Sequence, residues 1–208
     1  MTVRAVLFDF GGVISGSPLE GFTAYEQRIG LPAGFIAQLN MANHHENAWA
    51  KFERGQISQE EFLPLFEAEA RAAGWELDAR EVLAALAAEQ RPEMVEALHR
   101  LHKAGLSLAL LTNNLAPLDL DGPMRDLFAL FDAILQSSVE GIRKPEPEFY
   151  LRALDRLGGI APTDAVFLDD LGVNLKPARA LGITTIKVAD PHAALRELEA
   201  AVGISLLD

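Results

Sequence analysis

The pattern of hydrophobic and polar residues divides the chain into two kinds of sequence. An apolar run at residues 3–8 predicts a β-strand buried on both faces, as in the centre of a parallel sheet. The next stretch has no strand-like run, and its apolar residues recur at helical spacing over 19–29, 33–42, 48–54, 58–73 and 78–88. From Pro92 onwards, helices predicted at 92–104, 148–157, 175–181 and 193–202 alternate with strands predicted at 106–111, 133–136, 165–168 and 184–188.

This order of elements predicts the fold class. Alternating strands and helices are typical of α/β proteins, in which a parallel sheet is covered by helices. We therefore expect a Rossmann-like parallel-sheet core formed by residues 1–14 and 91–208. The helical stretch at 15–90 is predicted to be an all-helical cap, inserted after the first strand.

Composition narrows the functions that such a protein can have. The chain has 208 residues, no cysteine and a formal net charge of −12. The missing cysteines exclude disulfides and thiolate metal sites, and the acidic balance disfavours nucleic acid or an anionic membrane as a partner. No apolar run is long enough to span a bilayer, and the N-terminus lacks the pattern of a signal peptide. We expect a cytoplasmic protein with a small-molecule ligand.

Polar side chains follow several of the predicted strands. Because ligands of open parallel sheets bind beyond the carboxyl ends of the strands, these side chains are candidates for one common site. The first strand ends in a carboxylate that is followed by two glycines, which allow another group to approach the backbone closely. The candidates are Asp9, Thr112, Asn113, Lys144, Asp169 and Asp170.

The chemistry of these residue types favours phosphoryl transfer. Three carboxylates held close together need a cation, and oxygen ligands suit a hard ion such as Mg²⁺. A carboxylate such as Asp9 can attack phosphorus and form an aspartyl-phosphate, while metal, lysine and hydrogen-bond donors hold the phosphoryl oxygens. An acidic protein can bind a small phosphorylated substrate in this way, because the positive charge is confined to Mg²⁺ and Lys144.

The same residues resemble the four motifs of the haloacid dehalogenase superfamily, in their usual order. The motifs correspond to Phe8-Asp9-Phe10-Gly11-Gly12-Val13, Leu111-Thr112-Asn113, Lys144-Pro145 and Phe167-Leu168-Asp169-Asp170. The helical insert matches the small cap of one subclass. Residues 167–179 are similar to the N-terminal phosphatase domain of soluble epoxide hydrolases, and the first motif resembles the phosphatase-like domains attached to some acyl-CoA dehydrogenases.

The resemblance implies a role for each motif residue. Asp9 would be the nucleophile and a ligand of Mg²⁺, and Lys144 would stabilise the phosphoryl group that Thr112 and Asn113 bind. Asp170 is the expected direct metal ligand, whereas Asp169 would act through water or orient Lys144. Gly11 would supply its backbone carbonyl to the metal. Asn174 would either support the metal site or serve only as a polar residue of a helix turn.

Gly11 departs from the family pattern, in which a second aspartate acts as acid and base for the leaving group and water. Loss of such a group commonly costs about 10²–10⁴ in rate. Three interpretations follow: a slow phosphatase, one whose leaving group needs no proton, or a non-catalytic binding domain. A 2-haloacid dehalogenase is a further alternative, but the pair Asp169-Asp170 favours Mg²⁺. Arg143 either reaches the substrate or lies on the surface.

Overall fold

The computed structural model describes residues 2–207, so the two ends of the predicted core, positions 1 and 208, lie outside it. Its sheet contains five parallel strands in the order β3-β2-β1-β4-β5, with β1 in the centre. The strands are β1 (Ala5–Phe8), β2 (Ser107–Thr112), β3 (Ala133–Gln136), β4 (Ala165–Asp169) and β5 (Thr184–Lys187). The predicted α/β class and parallel sheet are confirmed.

Strand β1 is buried on both faces because its side chains alternate between two hydrophobic clusters. Val6 and Phe8 pack on one face, against α6 (Pro92–Lys103) and α11 (Pro191–Val202). Ala5 and Leu7 pack on the other face, against α9 (Pro147–Arg156) and α10 (Gly172–Ala180). The continuous apolar run in the sequence is explained by this double burial.

The strand order places a crevice beside the end of β1. The chain runs from β1 to β2 and β3 on one side, then crosses to β4 and β5 on the other, and such a reversal opens a ligand crevice at the carboxyl ends. Phe8 lies opposite Leu168 in the register, so Asp9 and Asp169 leave the sheet side by side. The Asp9 N–H still donates to the Leu168 carbonyl oxygen, at 2.9 Å.

Five α-helices lie in the chain between β1 and α6, and they share a hydrophobic cluster of their own, which includes Trp49, Phe62 and Phe66. They are α1 (Pro18–Ile29), α2 (Phe35–Met41), α3 (Ala48–Glu53), α4 (Gln59–Ala72) and α5 (Ala79–Ala84). We propose that this cluster is the core of the cap at 15–90. The predicted fifth helix ends earlier than residue 88 because the chain returns to the sheet, where the Arg91 N–H donates to the Ile14 carbonyl oxygen.

Four short helical elements within residues 2–207 were missing from the predicted elements. Two are α-helices of four residues each, α7 (Arg125–Phe128) and α8 (Ser137–Glu140), and the others are a π-helical turn at Phe10–Ile14 and a 3₁₀ turn at Pro162–Asp164. One turn is too short to give a recognisable hydrophobic period, so the sequence pattern does not indicate them. Among residues 2–207, no helix combines the length and apolar character that crossing a bilayer requires.

Candidate active site

The centre of the site is the Lys144 ammonium, which lies between two carboxylates. Its Nζ is 2.6 Å from Asp9 Oδ1 and 2.9 Å from Asp169 Oδ2. Asp170 completes the group, and one carboxylate oxygen from each aspartate lies within 4.8 Å of the other two. The structure therefore brings together four residues that the sequence placed at three different strand ends.

The two neighbouring aspartates have different surroundings. Asp169 is fully buried, and it accepts hydrogen bonds from Asn174 Nδ2 at 3.0 Å and from the Leu171 N–H at 2.8 Å. Asp170 is half-buried, and its Oδ2 accepts from Ser17 Oγ at 3.3 Å. Asp169 is thus fixed as the partner of Lys144, while Asp170 keeps an accessible carboxylate beside Asp9.

The charges of this cluster are not balanced by protein groups alone. Burial raises the pKa of Asp9 well above its usual range, since the opposing effect of Lys144 is smaller, and Asp169 and Asp170 raise it further. Burial, with Asp169, also raises the pKa of Asp170. Burial by itself would lower the pKa of Lys144, but Asp169 and Asp9 outweigh it and the net pKa is raised. One charged ammonium therefore faces three carboxylates.

This donor set fits a hard divalent cation. The ligand atoms on offer are carboxylate oxygens, and two negative charges remain once Lys144 is counted. Burial is the main cause of the raised carboxyl pKa values and mutual repulsion adds to it, and an added ion of charge +2 would oppose both by stabilising the ionised carboxylates. The fit therefore rests on both the chemistry and the charge of the site.

Asn113 positions Lys144 through its side-chain amide. Asn113 Oδ1 accepts from the Lys144 N–H and Nδ2 donates to the Lys144 carbonyl oxygen, both at 2.9 Å. The following Lys144–Pro145 peptide bond is cis. Both polar atoms of this amide bind the backbone of Lys144. The contact with a phosphoryl group that the family resemblance implies for Asn113 would therefore be made by its backbone N–H. Thr112, at the end of β2, is buried and lines the cavity beside Asp9.

Gly11 and Gly12, which follow Asp9, differ in backbone conformation and in the space available for a side chain. Gly12 has φ 79°, and a Cβ at this position would lie 2.3 Å from Asp170 Oδ2. Gly11 has φ −69° and ψ 129°, which any residue can adopt, but a Cβ there would lie 3.2 Å from Pro18 Cγ. Only Gly12 is therefore required by the backbone and by the closeness of Asp170.

A cavity of about 340 Å³ opens from these residues towards the cap helices. Its wall includes Asp9, Thr112 and Lys144 on one side and Phe22 and Trp49 on the other. The site therefore has room for an organic group beside Asp9.

Arg143 lies in the wall of this cavity and is only 8% exposed, so the surface alternative is wrong. Its guanidinium forms a salt bridge with Glu53 at the end of α3, and Nη2 donates to the His44 carbonyl oxygen at 2.7 Å.

Comparison with known proteins identifies the family. The sequence model that describes the family of haloacid dehalogenase-like hydrolases matches residues 3–182 of this chain. The chain belongs to this family. It is accordingly a hydrolase by family, and the predicted membership of this superfamily is confirmed.

Three named proteins are similar in sequence to most of this chain. The chain is 36% identical to acyl-CoA dehydrogenase family member 10 of Mus musculus, covering 98% of this chain and 19% of that protein. It is 34% identical to bifunctional epoxide hydrolase 2 of Rattus norvegicus, covering 98% and 39%. It thus spans less than half the length of both relatives. The sesquiterpene phosphatase astK of Aspergillus oryzae is 28% identical, and the match covers 97% of this chain and 98% of that protein.

Solved structures of the family have the same fold. A HAD family enzyme from Bacteroides thetaiotaomicron, in complex with magnesium and inorganic phosphate, has a TM-score of 0.58 at 22% identity, covering 89% of this chain and 93% of that one. The L-2-haloacid dehalogenase from Xanthobacter autotrophicus, with chloropropionic acid covalently bound, has a TM-score of 0.62 at 21% identity, covering 98% and 85%. At these identities the likeness concerns the fold alone.

In this haloacid dehalogenase-like hydrolase, two residues near the site were not predicted from the sequence. Ser17 caps α1, with its Oγ accepting from the Leu19 N–H, and the same hydroxyl contacts Asp170. The pair Ser17-Pro18 is a usual helix start and could have been noticed as the entry to the insert. Glu53 gave no signal, because a glutamate at the end of a helix is unremarkable in a sequence.

Proposed function

We propose that this protein is a Mg²⁺-dependent phosphatase that acts on a small phosphate monoester through an aspartyl-phosphate on Asp9. The observation that supports this most is the position of the Asp9 carboxylate. It lies 2.6 Å from Lys144 Nζ, belongs to a cluster of three carboxylates, and faces a cavity. Both a phosphoryl group and a cation can be placed against it.

The metal would be held by Asp9, Asp170 and the backbone carbonyl of Gly11, with Asp169 contributing through water. When bound, Mg²⁺ would compensate the negative charge of the carboxylates and polarise a phosphoryl oxygen. The named phosphatase among the relatives and the related enzyme solved with magnesium and phosphate support this proposal.

The protein groups have separate tasks in the two steps. The Asp9 carboxylate attacks phosphorus and forms an acyl phosphate, while the bond to the leaving oxygen breaks. Lys144, Thr112 and the backbone of Asn113 bind the phosphoryl oxygens, where negative charge must be stabilised. Water then attacks the phosphorus of the intermediate, which releases inorganic phosphate and restores the Asp9 carboxylate. The cap covers the site and limits the access of bulk water.

Gly11 leaves the departing oxygen without the usual proton donor, and the neighbouring Pro18 ring restricts the space that such a side chain would use. The reaction should therefore depend strongly on the basicity of the leaving group. Aryl and acyl phosphates, whose leaving groups need no proton, are the substrates that this site favours over alkyl phosphates.

Introducing the missing acid tests this interpretation. We expect Gly11→Asp, combined with Pro18→Ala to relieve the close contact, to raise kcat on alkyl phosphates by up to about 10²-fold and on aryl phosphates much less. The measurement is the ratio of kcat/KM for an aryl and an alkyl phosphate. Pro18→Ala alone is the control, and an unchanged ratio in the double variant would show that Gly11 does not limit leaving-group departure.

Gly12→Ala is expected to weaken Mg²⁺ binding. The new Cβ would collide with the Asp170 carboxylate, and the positive φ would add backbone strain of about 1–2 kcal/mol. Gly30→Ala is a matched control, because Gly30 has φ 78° and a Cβ added there would have no neighbour within 4 Å. Both variants should lower the melting temperature, but only Gly12→Ala should reduce Mg²⁺ affinity by calorimetry. Equal affinities in the two variants would contradict the assignment of Asp170.

The assay that separates the candidate activities measures phosphate release and halide release, each with Mg²⁺ and with EDTA. The phosphatase should release phosphate from aryl phosphates only with the metal. Release of halide from a 2-haloacid in EDTA would favour a dehalogenase instead. Binding of phosphate without any turnover would favour a non-catalytic domain, an alternative that rests on Gly11 alone.

A further inference from the structure

The cavity beside Asp9 contains a second buried ion pair, formed by Glu53 and Arg143. Glu53 ends α3 in the cap, and Arg143 precedes Lys144 in the loop after α8. They are 7% and 8% exposed, and both line the cavity as well as contacting each other. Their charges therefore influence which organic groups the cavity accepts.

The Glu53 carboxylate is held in place by donors from three parts of the fold. Trp49 Nε1 donates to Oε1 at 2.9 Å, and Asn113 Nδ2 lies 3.4 Å from Oε2, the oxygen that also accepts from Arg143. A carboxylate fixed by three donors cannot turn away from a ligand at little cost. The Glu53 carboxylate is thus held in a fixed position in the cavity wall.

The lysine and the arginine that line the cavity already have carboxylate partners. Lys144 contacts Asp9 and Asp169, while Arg143 contacts Glu53. Much of the remaining wall is apolar and includes Pro18, Leu19, Phe22, Leu86, Leu115 and Val173. Away from Asp9, the cavity therefore offers mainly apolar surface, the polar side chains of Asn40 and His44, and the pair of Glu53 and Arg143.

We propose that Glu53 determines specificity, because it neutralises Arg143 and so restricts the cavity to phosphate esters whose organic part carries no second anionic group. A second carboxylate or phosphate on the organic part would lie near the Glu53 carboxylate, while Arg143 is already paired with Glu53. Repulsion between the like charges therefore disfavours binding of such a substrate. An uncharged, apolar organic part meets no such barrier. This inference rests on the proposed phosphatase function.

The test compares two aryl phosphates of equal length, 4-ethylphenyl phosphate and 4-(carboxymethyl)phenyl phosphate, in the presence of Mg²⁺. Wild type should prefer 4-ethylphenyl phosphate in kcat/KM by about tenfold or more, as expected for like charges near a buried pair. Glu53→Gln should lower this preference by about tenfold, because Arg143 becomes available to the second carboxylate. Arg143→Met should raise it, because Glu53 then lacks its partner.

Glu146→Gln is the matched control. Glu146 pairs with Arg54 at 2.8 Å, so it also links the residues after α3 to the loop that carries Lys144, but it is not part of the cavity wall. This variant should keep the wild-type preference. The same preference in wild type, Glu53→Gln and Arg143→Met would overturn the proposal. If Glu53→Gln does not fold, as judged by circular dichroism, Arg143→Met decides the question.

Binding of the non-hydrolysable analogues 4-ethylphenylphosphonate and 4-(carboxymethyl)phenylphosphonate, measured by calorimetry with Mg²⁺, separates this inference from the proposed activity. Selective binding of 4-ethylphenylphosphonate that is lost in Glu53→Gln would support the role of Glu53 even if no phosphate is released. Phosphate release with equal binding of both analogues would support the phosphatase and refute the role of Glu53.

Discussion

Replacing Lys144 with methionine is expected to reduce metal-dependent phosphate release by about 10³-fold or more, the effect of removing a charged group that stabilises the transition state. The Lys144 side chain is 1% exposed and contacts both Asp9 and Asp169. Methionine fills similar space without the charge, so the loss would come from electrostatics rather than from a cavity. The measurement is kcat/KM on an aryl phosphate at saturating Mg²⁺.

Lys187→Met is the matched control for this variant. Lys187 lies beside Asp169 in the register of β4 and β5, but its side chain is exposed. It should change the free energy of unfolding by less than about 0.5 kcal/mol and leave kcat/KM unaltered. Comparable losses in the two lysine variants would contradict the role given to Lys144.

The stability of the Lys144→Met variant is also expected to depend on pH when it is measured in EDTA. Lys144 lowers the pKa of Asp9, which burial holds above its usual value, so its removal should raise that pKa further. A carboxyl whose pKa is higher in the folded than in the unfolded protein stabilises the fold more as the pH falls. The destabilisation of Lys144→Met relative to wild type should therefore become smaller as the pH is lowered. A difference in melting temperature that does not change with pH would refute the coupling.

The sequence was informative wherever the function depends on the end of a buried strand. The apolar run before Asp9 predicted the central strand, and parallel pairing then requires Asp9 and Asp169 to emerge together. These features depend on a short segment and on the topology of the sheet, so they could be predicted. The family resemblance implied that Asp169 acts through water or orients Lys144, but the direct contact of Lys144 with Asp9 was not predicted.

Contacts between distant segments could not be predicted in this way. The sequence assigned Asn113 to the phosphoryl group, but its side-chain amide holds the backbone of Lys144. Glu53 and Arg143 are 90 residues apart, and neither lies in a motif. Such pairs arise from how the helical insert packs on the sheet, which hydrophobic periodicity and motif spacing do not encode.

Gly11 illustrates a different limit. The sequence showed that the usual second aspartate is missing, and that observation left several activities open. The structure adds that the Pro18 ring lies close to the space that a side chain at this position would enter. The expected dependence on the leaving group follows from both observations together.

The central proposal is that Asp9 attacks phosphorus, and the most direct measurement compares phosphate release by wild type and Asp9→Asn with Mg²⁺ and with EDTA. Asparagine keeps the size of the side chain but is not a nucleophile here, so the loss should be at least about 10⁴-fold. Phosphate release by wild type should require Mg²⁺ and should be absent in Asp9→Asn. Metal-dependent release that persists in Asp9→Asn, or no release by wild type, would contradict the central proposal.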